Sequence, residues 1–396
     1  MEETAVDFSR LPVVTRELPL HSRVIALHNS AHVEWRKRGL TGVVIRVEGS
    51  ERVVRWDITD GATTPFDSQV ASVNWKTLLR VVPPEADDPN IDPNIAAAAK
   101  LLAETQASGG KLLVMTGAGM SVMSGVPVFR GSDGTMSEEF LRFLGNYNAA
   151  RRRASLPEAD DWFSFSVSDM FRRETEAEAW DYWRWRILRA LVAPAEDYRL
   201  LQQVISFFGP KNVFVTTSNC DMLHERSGTP PEDVFEIHGS LGRVQCSARC
   251  CDTLWPVDEL FLTRLRGEPA WVPRCPACGD ACLRPNVMIF EDATLVPDHL
   301  DGQERARRAF EQNCRGDRNF AVLECGAGVV VSSIRCNAEN AAELSTRGLV
   351  RINPSEAECA ALALGCLSDL QRGTTYFPVV RRSAEALAGI VKVLGL

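Results

Sequence analysis

Residues 116–131 read TGAGMSVMSGVPVFRG and follow directly on the apolar run KLLVM. A glycine turn behind a strand lets the backbone approach a phosphate, and the N-terminus of the next helix favours its charge. Gly117 and Gly119, with Ala118 between them, fit that role, and Ser121 and Ser124 add hydroxyl donors. A hydride-transfer site would show G-x-G-x-x-G and an acidic residue about 20 positions on. Position 122 is Val, the third glycine is Gly125, and a long polar and aromatic helical stretch follows Gly131. Redox chemistry is therefore disfavoured, and a plain strand-to-helix turn is the competing reading.

The cysteines carry a second pattern. Cys275 and Cys278, in CPAC before Gly279, form a C-x-x-C knuckle. Upstream, CSARCC offers Cys246 with either Cys250 or Cys251. Two such pairs suit a tetrahedral thiolate zinc site better than one redox dithiol. Cys282 is a spare ligand, while Cys220, Cys314, Cys325, Cys336, Cys359 and Cys366 have no paired spacing and read as small hydrophobes. His238 ends the run DVFEI, and its imidazole titrates near neutral pH.

The elements that must position these groups fall into two styles. Over residues 22–83, SRVIALH, GVVIRVEG, RVVRWDIT and ASVNWKTLLRVV alternate with period two, which predicts a small Tudor-like β-barrel within residues 1–85. PPEADDPNIDPN then reads as a linker over 86–94. From residue 95 to 396, helical segments alternate with KLLVMT, NVFVTT, DVFEIH, FAVLEC and LVRIN, which predicts an α/β, doubly wound parallel sheet of Rossmann-like kind. SAEALAGIVKVLGL closes the chain as an amphipathic helix. A net charge of −8 argues against a whole-protein nucleic-acid surface. The acidic start and the lack of an apolar span point to an intracellular protein without a membrane anchor.

GAGMSVMSGVPVFRG resembles the NAD-binding signature of the sirtuin family, NAD-consuming protein-lysine deacylases. TTSNCDMLHERSG, EIHGS, LRPNVMIF, ECGAGVVVSSIR and VRINPSE are similar to further segments of that family, in the family's order. CCDTLWP and the TSN form of the second motif resemble a bacterial-type branch. The resemblance implies NAD as co-substrate, an acyl-lysine protein or peptide as substrate, and a structural zinc ribbon over about 242–284 held by Cys246, Cys250, Cys275 and Cys278. It implies that an acyl oxygen displaces nicotinamide and that His238 activates a ribose hydroxyl, giving free lysine and O-acyl-ADP-ribose. Asn219 and Asp221 would serve the nicotinamide ribose and carboxamide. Phe129, Arg130, Ser218, Gly326, Ala327 and Asn353 would complete the cofactor contacts, and Val287, Met288 and Phe290 the substrate strand.

Three departures from the family stand out. Val128 occupies a position where most members carry Asp, and Glu291–Asp292 replaces Gly followed by an acid. WDYWRWR keeps only the arginine, Arg186, of a Tyr-x-x-Arg pair linked to acidic acyl groups, and also reads as a helix packing its aromatics. The competing functions are ADP-ribosyl transfer or NAD hydrolysis, and a non-catalytic NAD sensor. The barrel is expected to bind a peptide or nucleic-acid partner, with WRKRG as its basic stretch.

Overall fold

The computed structural model describes strand residues within 13–81 and residues 91–126, 136–329, 331–360 and 375–396. The first strands are β1 Val13–Val14, β2 Arg23–Ala26, β3 Thr41–Glu48, β4 Glu51–Trp56, β5 Val70–Asn74 and β6 Leu78–Val81. Then come β7 Lys111–Thr116, β8 Val213–Thr217, β9 Val234–Glu236, β10 Gly239–Cys246, β11 Trp255–Pro256 and β12 Leu283–Val287. The last are β13 Phe320–Cys325, β14 Gly348–Ile352 and β15 Thr375–Val379. The chain divides into two compact units, Met1–Met120 with Glu196–Thr216 and Ala309–Leu396, and Ser121–Ala195 with Thr217–Arg308.

In the first unit the strands run β15-β14-β13-β7-β8. β13 pairs in parallel with both β7 and β14, and β14 with β15. β7, β8, β13 and β14 are buried almost throughout, as a parallel sheet covered on both faces requires. The expected doubly wound sheet is thus present. β15 was not among the expected strands; its Pro378 lacks a ladder donor and masks the strand signal. Helices Pro93–Ala107 and Ser383–Leu394 pack so closely that a Cβ on Gly389 would lie 2.7 Å from Ile95 Cγ2. Asp92 caps the first of them, accepting from the Asn94 amide at 3.0 Å.

The N-terminal strands pair antiparallel in the order β5-β4-β3-β2-β6. Glu48 faces Glu51 across the β3–β4 ladder, which leaves a two-residue connection where the sequence reads EGSE. These pairings describe an antiparallel ladder and do not by themselves close a barrel.

The second unit joins helices to an antiparallel sheet of order β11-β10-β12. Helices Glu138–Arg153 and Glu176–Ala190 bury Phe140, Phe143, Tyr147, Trp180, Tyr182 and Trp183. The aromatics of WDYWRWR therefore serve mainly as core. Trp180 Nε1 donates to the Leu283 carbonyl at 2.7 Å and ties its helix to β12.

Candidate active site

The glycine turn after β7 is built against the turn after β13, at adjacent strand ends of the first unit. Gly117 N donates to the Cys325 carbonyl at 3.0 Å and Gly119 N to the Gly326 carbonyl at 2.9 Å. A Cβ on Gly117 would meet Ala327 Cα at 2.6 Å, so only glycine permits the approach. Gly326 itself has φ +65°. The Ala327 carbonyl accepts from Asn353 Nδ2 at 3.1 Å and from Arg335 Nε and Nη2 at 3.1 and 2.8 Å. Asn353 also donates to Glu358 Oε2 at 2.7 Å. Gly117, Gly119, Gly326, Ala327 and Asn353 are brought together as the sequence suggested, and Ala118 lies within the turn. Arg335 was missed as a site residue, since an arginine in an ordinary helix gives no signal.

In the second unit Ser121 is a hub. Its hydroxyl donates to Asp221 Oδ2 at 2.6 Å and accepts from Asn219 Nδ2 at 2.9 Å. Asp221 Oδ1 accepts the Leu223 amide at 3.1 Å, and Asn219 N donates to Thr217 Oγ1 at 3.0 Å. Burial raises the Asp221 pKa, while the Ser121 hydroxyl, the Leu223 amide and Arg186 oppose the rise. Met222 takes the left-handed φ of 60°, which turns the chain directly behind Asp221.

His238 lies between β9 and β10. Burial lowers its pKa, and the nearby Ser218 backbone opposes the shift. With its pKa lowered from the ordinary value, the imidazole is neutral at neutral pH and can act as a base. The His238 carbonyl accepts the Met288 amide at 2.8 Å, which joins the His238 backbone to the segment that follows β12, Met288 to Phe290. Gly239, at φ +83°, permits this crossing, since a Cβ there would fall 2.2 Å from the Asn286 carbonyl oxygen. Val287 is buried, whereas Met288 and Phe290 are 49% and 37% exposed and available to a ligand. Glu291 adopts φ +54°, a left-handed value that glycine would take without strain. Val128, Phe129 and Arg130 lie outside the described residues.

The sulfurs of Cys246, Cys250, Cys275 and Cys278 lie within 4.8 Å of one another. Cys250 and Cys275 Sγ are 3.6 Å apart, close to the roughly 3.8 Å spacing implied by tetrahedral Zn–S bonds of about 2.3 Å. Backbone amides of Asp280 and Ala281 lower the Cys278 thiol to about 7, favouring the thiolate. The donor set fits structural zinc. Cys250 rather than Cys251 joins the cluster, and Cys282 is buried against the Phe171 carbonyl and Ser247.

A family model described as the Sir2 family matches residues 117–308. The NAD-dependent protein deacylase 1 of Pseudomonas aeruginosa is 30% identical over 228 residues, 57% of this chain and 78% of that protein. NAD-dependent protein deacylase 1 of Archaeoglobus fulgidus is 29% identical over 289 residues, 72% and 98% of the two chains. An NAD-dependent protein deacylase of Thermus thermophilus is 29% identical over 259 residues, 64% and 83%. A solved structure from work on the mechanism and regulation of Sir2 enzymes aligns with TM-score 0.50 and 22% identity, covering 76% of this chain and 98% of its own. That last likeness concerns the fold.

Proposed function

We infer that this chain, which belongs to the Sir2 family, is an NAD-dependent protein-lysine deacylase that transfers the acyl group to ADP-ribose and releases nicotinamide. The observation that carries its chemistry is the buried Ser121–Asn219–Asp221 cluster together with a neutral imidazole at His238. Asp221 would hold the nicotinamide carboxamide and Asn219 the ribose. His238, held neutral by burial, would take a proton from a ribose hydroxyl. Gly117, Ala118, Gly119, Gly326, Ala327 and Asn353 would bind the nucleotide side, with Phe129 and Arg130 completing the cofactor loop. Val287, Met288 and Phe290 would line up the acyl-lysine peptide.

Zinc, when bound by Cys246, Cys250, Cys275 and Cys278, would cross-link the chain leaving β10 to the chain entering β12. Four thiolates fill its shell, so its part is structural. We propose further that the N-terminal strands, whose antiparallel ladder of β2 to β6 supports a small barrel, select a peptide or nucleic-acid partner and lend no catalytic residue.

Nicotinamide release measured with and without acetyl-lysine peptide tests the reading. Release should require the peptide and match the O-acetyl-ADP-ribose formed. Equal release without peptide would make the protein an NAD hydrolase. NAD binding without any release would make it a sensor.

A further inference from the structure

Gln245 precedes the zinc ligand Cys246 on β10, and its side chain is fully buried. Its Oε1 accepts Asn286 Nδ2 at 2.7 Å and the Val296 amide at 3.0 Å, and its Nε2 donates to the Thr294 carbonyl at 2.6 Å. Asn286 Nδ2 also reaches the Val296 carbonyl at 3.0 Å. One turn earlier, Asp292 accepts Arg284 Nη2 at 2.5 Å, the Thr294 amide at 2.9 Å and the Thr294 hydroxyl at 3.0 Å. Both side chains of the Arg284–Asp292 pair are almost wholly buried. At the start of the loop, the Phe290 amide donates to the Ser166 carbonyl at 2.8 Å. The bonds from Gln245, Asn286, Arg284 and Ser166 tie residues 290–296 to segments elsewhere in the sequence, the two Thr294–Asp292 bonds brace the loop internally, and Gln245 holds the loop at both Thr294 and Val296.

We propose that Gln245 is a positioning residue for acyl-peptide binding, acting through the 290–296 loop; the proposal rests on the deacylase reading. Residues 290–296 follow β12 and the segment whose exposed side chains, Met288 and Phe290, would meet an extended peptide. A loop held in one conformation before the peptide arrives spares the entropy of ordering it at binding. The bonds named here run between β10, β12, the Ser166 segment and the 290–296 loop, so their loss falls on the peptide side rather than on NAD. The hub also joins the loop to the strand that ends in a zinc ligand. A glutamine suits this place because its carboxamide donates and accepts at once, which no carboxylate or apolar side chain can do.

The test is Gln245→Met, which keeps volume and removes the bonds to Asn286, Thr294 and Val296 together with the long Nε2 contact to the Cys246 carbonyl at 3.5 Å. The KM for an acetyl-lysine peptide should rise about tenfold, as expected for the loss of buried hydrogen bonds. The KM for NAD, kcat and zinc content should stay within about twofold of the unsubstituted protein. Amides of residues 290–296 should exchange faster while those of β12 keep their protection. An unchanged peptide KM in the folded variant overturns the proposal, as does an equal rise for peptide and NAD. Should Gln245→Met fail to fold, Thr294→Val removes only the hydroxyl bond to Asp292 and should show the same split at about threefold. If the unsubstituted protein releases no nicotinamide with peptide, the deacylase reading fails; unaltered amide exchange in the variant would separately sink the hub.

Discussion

Replacing Ser121 by Ala removes one oxygen from the centre of the candidate site. That oxygen donates to Asp221 Oδ2 at 2.6 Å and accepts from Asn219 Nδ2 at 2.9 Å. Asp221 is 4% exposed, so water cannot readily replace the lost donor. A buried hydrogen bond to a charged group contributes about 1.5–3 kcal/mol. At about 1.4 kcal/mol per factor of ten, kcat/KM for NAD should fall about 10- to 150-fold if the bond holds Asp221 in its working position. Asn219 loses its acceptor at the same time, which places the loss toward the upper end. The substitution also acts on titration. Burial already holds the Asp221 pKa above its unfolded value, and the hydroxyl is one of the groups opposing that rise. Without it the folded value climbs further. A carboxyl with a raised folded pKa contributes stability that is complete below the unfolded value, about 3.9, and is lost as pH rises through the folded one. The variant should therefore lose more stability, relative to the parent, at about pH 8 than at about pH 4. Nicotinamide-release kinetics and urea unfolding at both pH values measure the two effects. A folded Ser121→Ala protein with kcat/KM within about threefold of the parent would refute the reasoning.

His238→Ala should abolish peptide-dependent deacylation while leaving the circular dichroism spectrum unchanged; near-normal turnover would remove the histidine from the mechanism. Because burial lowers the His238 pKa from 6.5, kcat/KM should stay level as pH falls to that value and decline only below it, read from a pH profile. Metal analysis should give one zinc per chain, lost in Cys250→Ser and kept in Cys251→Ser. Gly117→Ala should abolish NAD binding by calorimetry, since its Cβ would lie 2.6 Å from the Ala327 backbone. Deleting residues 1–90 should leave NAD binding and peptide deacylation largely unchanged, and a folded truncation unable to bind NAD would assign the N-terminal strands a part in the site.

The legible part of the site is the part written in short spacings. The G-x-G turn can be read directly because only glycine tolerates the approach of Gly117 to Ala327 and of Gly119 to Gly326. The CPAC knuckle is equally plain, since two thiols on one tight turn chelate whatever surrounds them. Cys250 and Cys251 could not be separated in this way. Both spacings reach a shared metal, and only the local path of the backbone directs the Cys250 sulfur to Cys275. Ser121 was recognisable as a hydroxyl near the turn, but its partner Asp221 lies 100 residues away. β15 was hidden by its own Pro378, and Arg335 by the ordinary look of its helix.

What sequence pattern conceals most completely is polar burial, because a hydrophobic period treats such residues as exceptions. Arg351 joins Glu324 at 2.6 Å and Glu339 at 2.7 Å, all three with side chains fully buried inside the first unit. Desolvating three charges is costly, and apolar residues of equal volume would often serve stability as well. An ion network differs in demanding one arrangement. Glu324 and Arg351 face each other in the β13–β14 register, so a slip along either strand would strand an uncompensated charge in the core. The turns after these strands carry Gly326 and Asn353, and their alignment is what brings Asn353 to the Ala327 carbonyl. Ser121 between Asn219 and Asp221, and Gln245 beneath the 290–296 loop, follow the same logic in the second unit. In each case a buried polar group fixes which segments meet, and in the first unit the candidate binding residues Gly326 and Asn353 stand two positions beyond Glu324 and Arg351.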